Sequence, residues 1–352
     1  MLIHKRLQVA MWLCVCAFLV FCMVILGGAV RLTGSGLSMV DWQPIIGVVP
    51  PLSESGWLEA FDQYKQYPEY ELVNRGMSLA EFKFIFYMEY VHRILGRLIG
   101  MVFIIPFLVF LYKGGLTSGL KYRLWLLLLL GAGQGLMGWF MVKSGLVSDP
   151  HVSQYRLTAH LLLAVVIFAL LIRLICGLVY HDRDNDSSFG NNLIFNGREL
   201  SLGVLLLTFL MIGTGGLMAG THAGYIYNSW PKMGQEWVPD MAWAMIPWWL
   251  NIFENPLTIQ LIHRWLAMVV AISVVFVGLK VIRHDTRARV RQFAGLAILV
   301  VVFQVILGVS TLLGGVPIAL GVAHQGTALF LVGLIVAVWS EYLPRIAHGR
   351  SI

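Results

Sequence analysis

Eight long apolar runs dominate the chain, at about 9–30, 88–112, 122–142, 156–179, 201–220, 258–280, 292–313 and 318–340. A helix needs about 20 apolar residues to cross a bilayer core, and each run meets that length. The runs are continuous and do not alternate, which argues against a membrane barrel. The polar segments between them are unequal. Residues 31–87 form the longest and hold Trp, Tyr, Pro and acidic residues. Within it "SLAE", Ser78–Glu81, has capping-box spacing, so the second helix is expected to start outside the lipid. Residues 221–257, with "MAWAMIPWWL" from Met241, read equally as a second amphipathic outer cover or as an interfacial aromatic belt.

The pattern repeats after four helices. "GGAVRLTGSGLSMVDW" from Gly27 resembles "GGLMAGTHAGYIYNSW" from Gly215, with Gly27, Gly28, Thr33, Gly36 and Trp42 falling on Gly215, Gly216, Thr221, Gly224 and Trp230. His92-Arg93 then matches His263-Arg264, "QGLMG" at Gln134 matches "QVILG" at Gln304, and Ala159-His160 matches Ala323-His324. An even number of spans per repeat gives both halves the same orientation. The expected fold is an all-α polytopic membrane protein of eight transmembrane helices, arranged as two four-helix bundles about a pseudo-twofold axis along the membrane normal. Residues 1–180 form the N-terminal bundle, 181–200 a cytoplasmic linker and 201–345 the C-terminal bundle.

Composition agrees: 58% of the 352 residues are hydrophobic and 12% are charged. The net charge of +7 does not point to nucleic acid once its distribution is followed. Fifteen Lys and Arg residues fall on one side of the eight-span arrangement, among them Lys5, Arg6, Lys113, Arg173, Arg198, Arg287 and Arg345, against seven on the other. The basic side is expected to be cytoplasmic, with both termini inside. "MLIHKR" runs directly into a span without a cleavable signal pattern, which fits a bacterial inner membrane. Cys14, Cys16 and Cys22 lie in the first span and Cys176 ends the fourth, so they read as packing residues. No CxxCH occurs for c-type haem attachment.

Candidate chemistry lies in four histidines, His92, His160, His263 and His324, each near the start of an even-numbered span. All four are expected at one depth, near the outer face, two per repeat. Ionisable groups in lipid are costly and mark function. Two histidines facing across a four-helix bundle can ligate a haem iron from both sides. Gly96, Ala164, Ala267 and Ala328 stand four residues after each histidine and would leave room for the ring. Zinc would need three or four converging ligands, and no HExxH is present. Arg93 and Arg264 are placed to hold outward-pointing haem propionates, with snorkelling to lipid phosphate as the alternative. Glu89 lies three residues before His92, where it could move a proton or stabilise positive charge, or simply pair with Arg93 four residues on. The matching Gln260 cannot titrate. The first half is therefore expected to carry the chemistry and the second a permanent cofactor.

"GGAVRLTGSGLSMVDWQPIIGVVPP", "EFKFIFYMEYVHRILGR" and the paired histidines resemble haem A synthase of the type shared by proteobacteria and mitochondria, across essentially the whole chain. The resemblance implies an oxidoreductase acting on a CH group, which converts the C8 methyl of haem O to a formyl group by successive hydroxylation. It implies haem B between His263 and His324, substrate haem between His92 and His160, and Glu89 as the catalytic carboxylate. It further implies a haem O synthase upstream, an unidentified electron donor, a terminal oxidase as recipient of haem A, and haem sites toward the periplasm. A homo-oligomer is compatible with it. Some family members carry a cysteine pair in the first outer loop, and this chain has none there. The competing readings are a diheme electron-transfer subunit of the cytochrome b kind, which needs no Glu89, and a transporter built of parallel repeats.

Overall fold

The computed structural model describes residues 3–40, 49–114, 116–145, 152–180 and 196–343. Trp42, His151, the linker as far as 195 and the tail beyond 343 lie outside the described residues. Eleven α-helices follow in order: α1 (Ile3–Leu32), α2 (Glu54–Tyr64), α3 (Pro68–Leu72), α4 (Leu79–Tyr112), α5 (Ser118–Gly145), α6 (Gln154–Val179), α7 (Gly197–Gly220), α8 (Leu250–Glu254), α9 (Pro256–His284), α10 (Ala288–Leu313) and α11 (Ile318–Ser340). Eight of them, all but α2, α3 and α8, are long and apolar enough to cross a membrane, so this is a multi-pass membrane protein.

The helix starts follow local capping chemistry. At α4 the capping box forms: Ser78 Oγ accepts from the Glu81 amide at 3.3 Å, and the Glu81 carboxylate accepts from the Ser78 amide at 2.8 Å. This start extends α4 about two turns beyond the apolar run. At α9, Pro256 takes the first helical position while the Asn255 side chain accepts from the Leu257 amide at 3.0 Å.

One continuous hydrophobic core runs through both sets of four spans. At its centre are α1, α6 and α11. α1 packs on α4 and α6 of its own half and on α11 of the other, and α6 reaches both α7 and α11. Close approach of α1 to α11 depends on Gly28, where an added Cβ would meet the Gln325 side chain at 2.5 Å. Gln325 Nε2 then donates to the Val24 carbonyl at 2.7 Å.

The peripheral helices differ between halves. α9 and α10 pack along their length, whereas α4 and α5 meet over a short stretch. Of their apolar windows, 28% is buried in α9 and in α10, but 11% in α4 and 6% in α5. Gly131, Gly133 and Gly135 of α5 face open space. In the first half α4 and α5 therefore pack on each other less, and leave more of their apolar surface uncovered, than α9 and α10 do in the second.

Each long connecting segment packs on its own half, and Glu254 of α8 also accepts from Gln154 Nε2 of α6 at 2.7 Å. α2 sets Trp57, Phe61 and Tyr64 on Phe82, Ile85 and Phe86 near the start of α4, with Phe61 and Phe82 stacked at 4.9 Å, and Tyr70 of α3 packs beside them. The 221–257 segment makes two 3-10 turns, Ala223–Tyr225 and Asp240–Trp243, before α8. Asn251 and Asn255 satisfy its buried carbonyls at Met241, Ala242, Met245 and Trp248. Its aromatic residues Trp237, Trp243, Trp248 and Trp249 stay exposed around this polar centre, so it is both a folded cover and an aromatic rim.

Candidate functional site

Each of the four histidines packs on a glycine of a neighbouring helix. An added Cβ at Gly27 of α1 would meet His92 of α4 at 3.2 Å, and one at Gly215 of α7 would meet His263 of α9 at 3.4 Å. Likewise Gly138 of α5 faces His160 of α6 at 3.1 Å, and Gly308 of α10 faces His324 of α11 at 2.8 Å. These four glycines occupy matched positions of the two repeats. Their places in the repeated "GG" and "QxxxG" stretches were visible in the sequence, but their role was not. Gly96 behaves differently: its missing side chain faces Met23 Cε at 3.2 Å. The space assigned to a ring beside Gly96 is taken by a methionine of α1, because side chains of the neighbouring helix fill what a small residue leaves.

His92 and His160 lie within reach of each other's charge, as do His263 and His324. A further matched contact holds the second member of each pair. Gln134 Nε2 donates to the His160 carbonyl at 3.0 Å and lies 3.4 Å from the ring, and Gln304 repeats both distances at His324. Among the described residues, His160 Nδ1 and His324 Nδ1 are buried without a hydrogen-bond partner. Neutral imidazole nitrogens of this kind are suited to ligate a metal in a flat macrocycle.

Around the arginines the halves part. Glu89 is buried and accepts from three donors: Ser38 Oγ at 2.8 Å, the Met39 amide at 2.8 Å and Arg93 Nη2 at 2.5 Å. Arg93 also donates to the Met39 carbonyl at 2.9 Å. The pairing that the four-residue spacing offered between Glu89 and Arg93 is thus formed. Arg264 makes the corresponding backbone contact, to the Tyr227 carbonyl at 2.8 Å, and adds the carbonyls of Ser229 at 2.8 Å and Lys232 at 3.2 Å. Gln260 donates to the same Tyr227 carbonyl at 3.1 Å. Arg264 therefore has carbonyl dipoles where Arg93 has a carboxylate. Among the described residues, Arg264 Nε and Gln260 Oε1 are buried without partners. A buried cation whose acceptors are all neutral carbonyls is electrostatically suited to an anion.

Arg31, at the end of α1, joins the halves at the outer side: it donates to the Ala219 carbonyl at 2.6 Å and lies 2.9 Å from His222 Nε2. The outer cover of the first half holds another buried acid. Glu69 accepts from Tyr64 Oη at 3.0 Å, and Tyr64 accepts from Asn74 at 2.7 Å. Burial pushes the Glu69 carboxyl up to about 7, the Tyr64 hydrogen bond opposes this, and the charge of Glu89 adds to the rise. Composition gave no sign of Glu69 among the other acids of that loop.

Residues 10–336 match the model of the COX15-CtaA family, described as cytochrome oxidase assembly protein. The chain belongs to that family. Its relatives include three proteins named "Heme A synthase". That of Nitrosospira multiformis is 46% identical over 334 residues, covering 95% of this chain and 92% of its own. That of Rhodospirillum centenum is 44% identical, covering 96% and 88%. That of Bradyrhizobium sp. strain ORS 278 is 41% identical, covering 96% and 92%. The family likeness therefore spans both histidine pairs.

Proposed function

We propose that the chain is a haem A synthase serving terminal oxidase assembly. It oxidises the C8 methyl of haem O to a formyl group, through two hydroxylations and loss of water from the geminal diol. The observation that carries this reading is the pair of matched frames that differ at one acid. Both frames have two histidines, glycine cradles and an arginine on a backbone carbonyl, and only the first has a carboxylate, Glu89. The names of the relatives support the same activity.

In this reading residues 1–180 bind the substrate and 201–345 hold haem B, the two units being related by the pseudo-twofold axis. His92 and His160 hold haem O, while His263 and His324 hold haem B, which supplies one-electron redox chemistry when bound. Arg264 binds a propionate of haem B. Arg93 binds one of the substrate, and that competition draws it away from Glu89. Glu89, kept in place by Ser38 and the Met39 amide, then presents negative charge toward the methyl carbon and stabilises positive charge that develops there. The farnesyl tail of haem O is too apolar for water and lies along a lipid-facing groove of the first bundle. The protein sits in a bacterial inner membrane with both termini cytoplasmic and both sites toward the periplasm. Its partners are a haem O synthase, an electron donor and the oxidase that receives haem A.

The test is chromatography of haem extracted from cells that make haem O, with and without this protein. Haem A is expected only with it, and purified protein is expected to carry haem O or haem A beside haem B. Protein carrying haem B alone, with no haem A in the cells, would support the diheme electron carrier instead.

A further inference from the structure

One hydrogen bond in the second frame has no counterpart in the first. Thr214 Oγ1 lies 2.9 Å from His263 Nδ1 and 2.8 Å from the Met211 carbonyl. A carbonyl can only accept, so the single hydroxyl hydrogen goes to Met211. The hydroxyl lone pair then faces Nδ1, which must carry the imidazole proton, and Nε2 is left bare for a metal. Position 214 matches Leu26 at the same offset that pairs Gly215 with Gly27. Leucine offers no acceptor, and no hydrogen bond to the His92 ring is formed among the described residues.

The rings respond accordingly. His263 turns its Cε1 edge toward Gly215, whereas His92 turns its Nε2–Cδ2 edge toward the matched Gly27. His263 Nε2 is thus turned away from the glycine of its frame, while His92 Nε2 is directed at Gly27. The Gln134 and Gln304 contacts are the same in both halves, so they do not account for this difference.

We infer that Thr214 is a positioning residue that makes His263 a permanent ligand, and that Leu26 leaves His92 an exchangeable one. A resident cofactor must stay through many turnovers, whereas a substrate haem must enter and leave. The proposal rests on the reading that haem B lies between His263 and His324.

The test uses the full-length protein purified with its haem. Thr214→Val keeps the shape and removes the acceptor. The transfer rate of haem B to apomyoglobin should rise about tenfold or more, the usual scale for losing an outer partner of a metal-bound histidine. The haem B potential should rise as well, because an acceptor at Nδ1–H makes the imidazole more basic and favours ferric iron. Thr214→Ser should restore both. In the other half, Leu26→Thr should slow release of the substrate-side haem, which keeps the idea testable if the valine variant folds poorly. Wild-type release rate and potential in Thr214→Val, or a serine variant that behaves like the valine one, would overturn it. His263→Ala separates the two failures: if that variant keeps the six-coordinate haem B spectrum, the site reading itself is wrong.

Discussion

"EYVHR" from Glu89 and "QLIHR" from Gln260 occupy matched positions on α4 and α9 and make one matched contact. Arg93 donates to the Met39 carbonyl, and Arg264 donates to the Tyr227 carbonyl, at the same offset as the glycines. Everything else about the two arginines differs. Arg93 is neutralised by a carboxylate that three donors hold, while Arg264 keeps its charge among carbonyl dipoles. In the proposed reading, a frame with an uncompensated buried cation retains an anionic ligand. A frame whose cation is already paired must exchange one anion for another, which suits a ligand that comes and goes. The looser packing of α4 on α5 points the same way, since their apolar surface is less covered than that of α9 and α10.

The comparison is broken most decisively at the histidines. His263→Ala should abolish the low-spin haem B spectrum of the purified protein, whereas His92→Ala should leave that spectrum and abolish haem A formation. Equal spectra in the two variants would mean that the halves do not divide the work.

Glu89→Gln makes the first frame resemble the second. Haem A formation, measured by extracted-haem chromatography, should fall about 10²-fold or more, the scale of losing a group acting on the reacting atoms. Full activity with haem still bound would end the assigned role of Glu89. The converse change, Gln260→Glu, offers Arg264 a carboxylate. Haem B should then be lost about tenfold faster in a transfer assay, as expected when a propionate's partner is occupied.

Ser38→Ala sharpens the comparison further, because position 38 matches Ile226, which has no hydroxyl. Removing one donor to a charged acceptor costs about 1.5–3 kcal/mol. Haem A formation should drop about tenfold or somewhat more, with haem B content unchanged. An unaltered rate would show that the Met39 amide and Arg93 hold Glu89 without it.

The smallest effect is expected in the outer cover of the first site. Folding raises the Glu69 carboxyl from 4.5 to about 7, mainly through burial. Between those values the unfolded chain has released a proton that the folded chain keeps. Stability therefore falls as pH rises through that window and levels off above it. Glu69→Gln should flatten this slope, raising the melting temperature in detergent at about pH 8 more than at about pH 5. An identical slope in both proteins would exclude Glu69 as its source.

The eight spans were legible because burial in lipid demands long continuous apolar runs, a local signal that survives without tertiary context. The start of α4 was legible for a similar reason, since Ser78 and Glu81 act on each other within one turn. Glu89, His92, Arg93 and their counterparts stood out as polar groups in apolar runs. The glycine cradles did not, because glycine is ordinary in membrane helices and Gly138 gains meaning only from a ring on another helix. Gly96 shows the converse error, a small residue whose space a neighbouring methionine fills.

By itself, then, the sequence determined eight helices, a fourfold-plus-fourfold order, two histidines per repeat and one acid exchanged for an amide. These are properties of composition, period and repetition along the chain. Tertiary structure decided which groups those residues meet: Ser38 and Met39 at Glu89, Tyr227 and Ser229 at Arg264, and Thr214 at His263. Those partners lie some 30 to 50 residues away in the chain. Hydrogen-bond geometry is set only when the connecting segments and neighbouring helices pack, and that is where the surroundings of Arg93 and Arg264 come to differ.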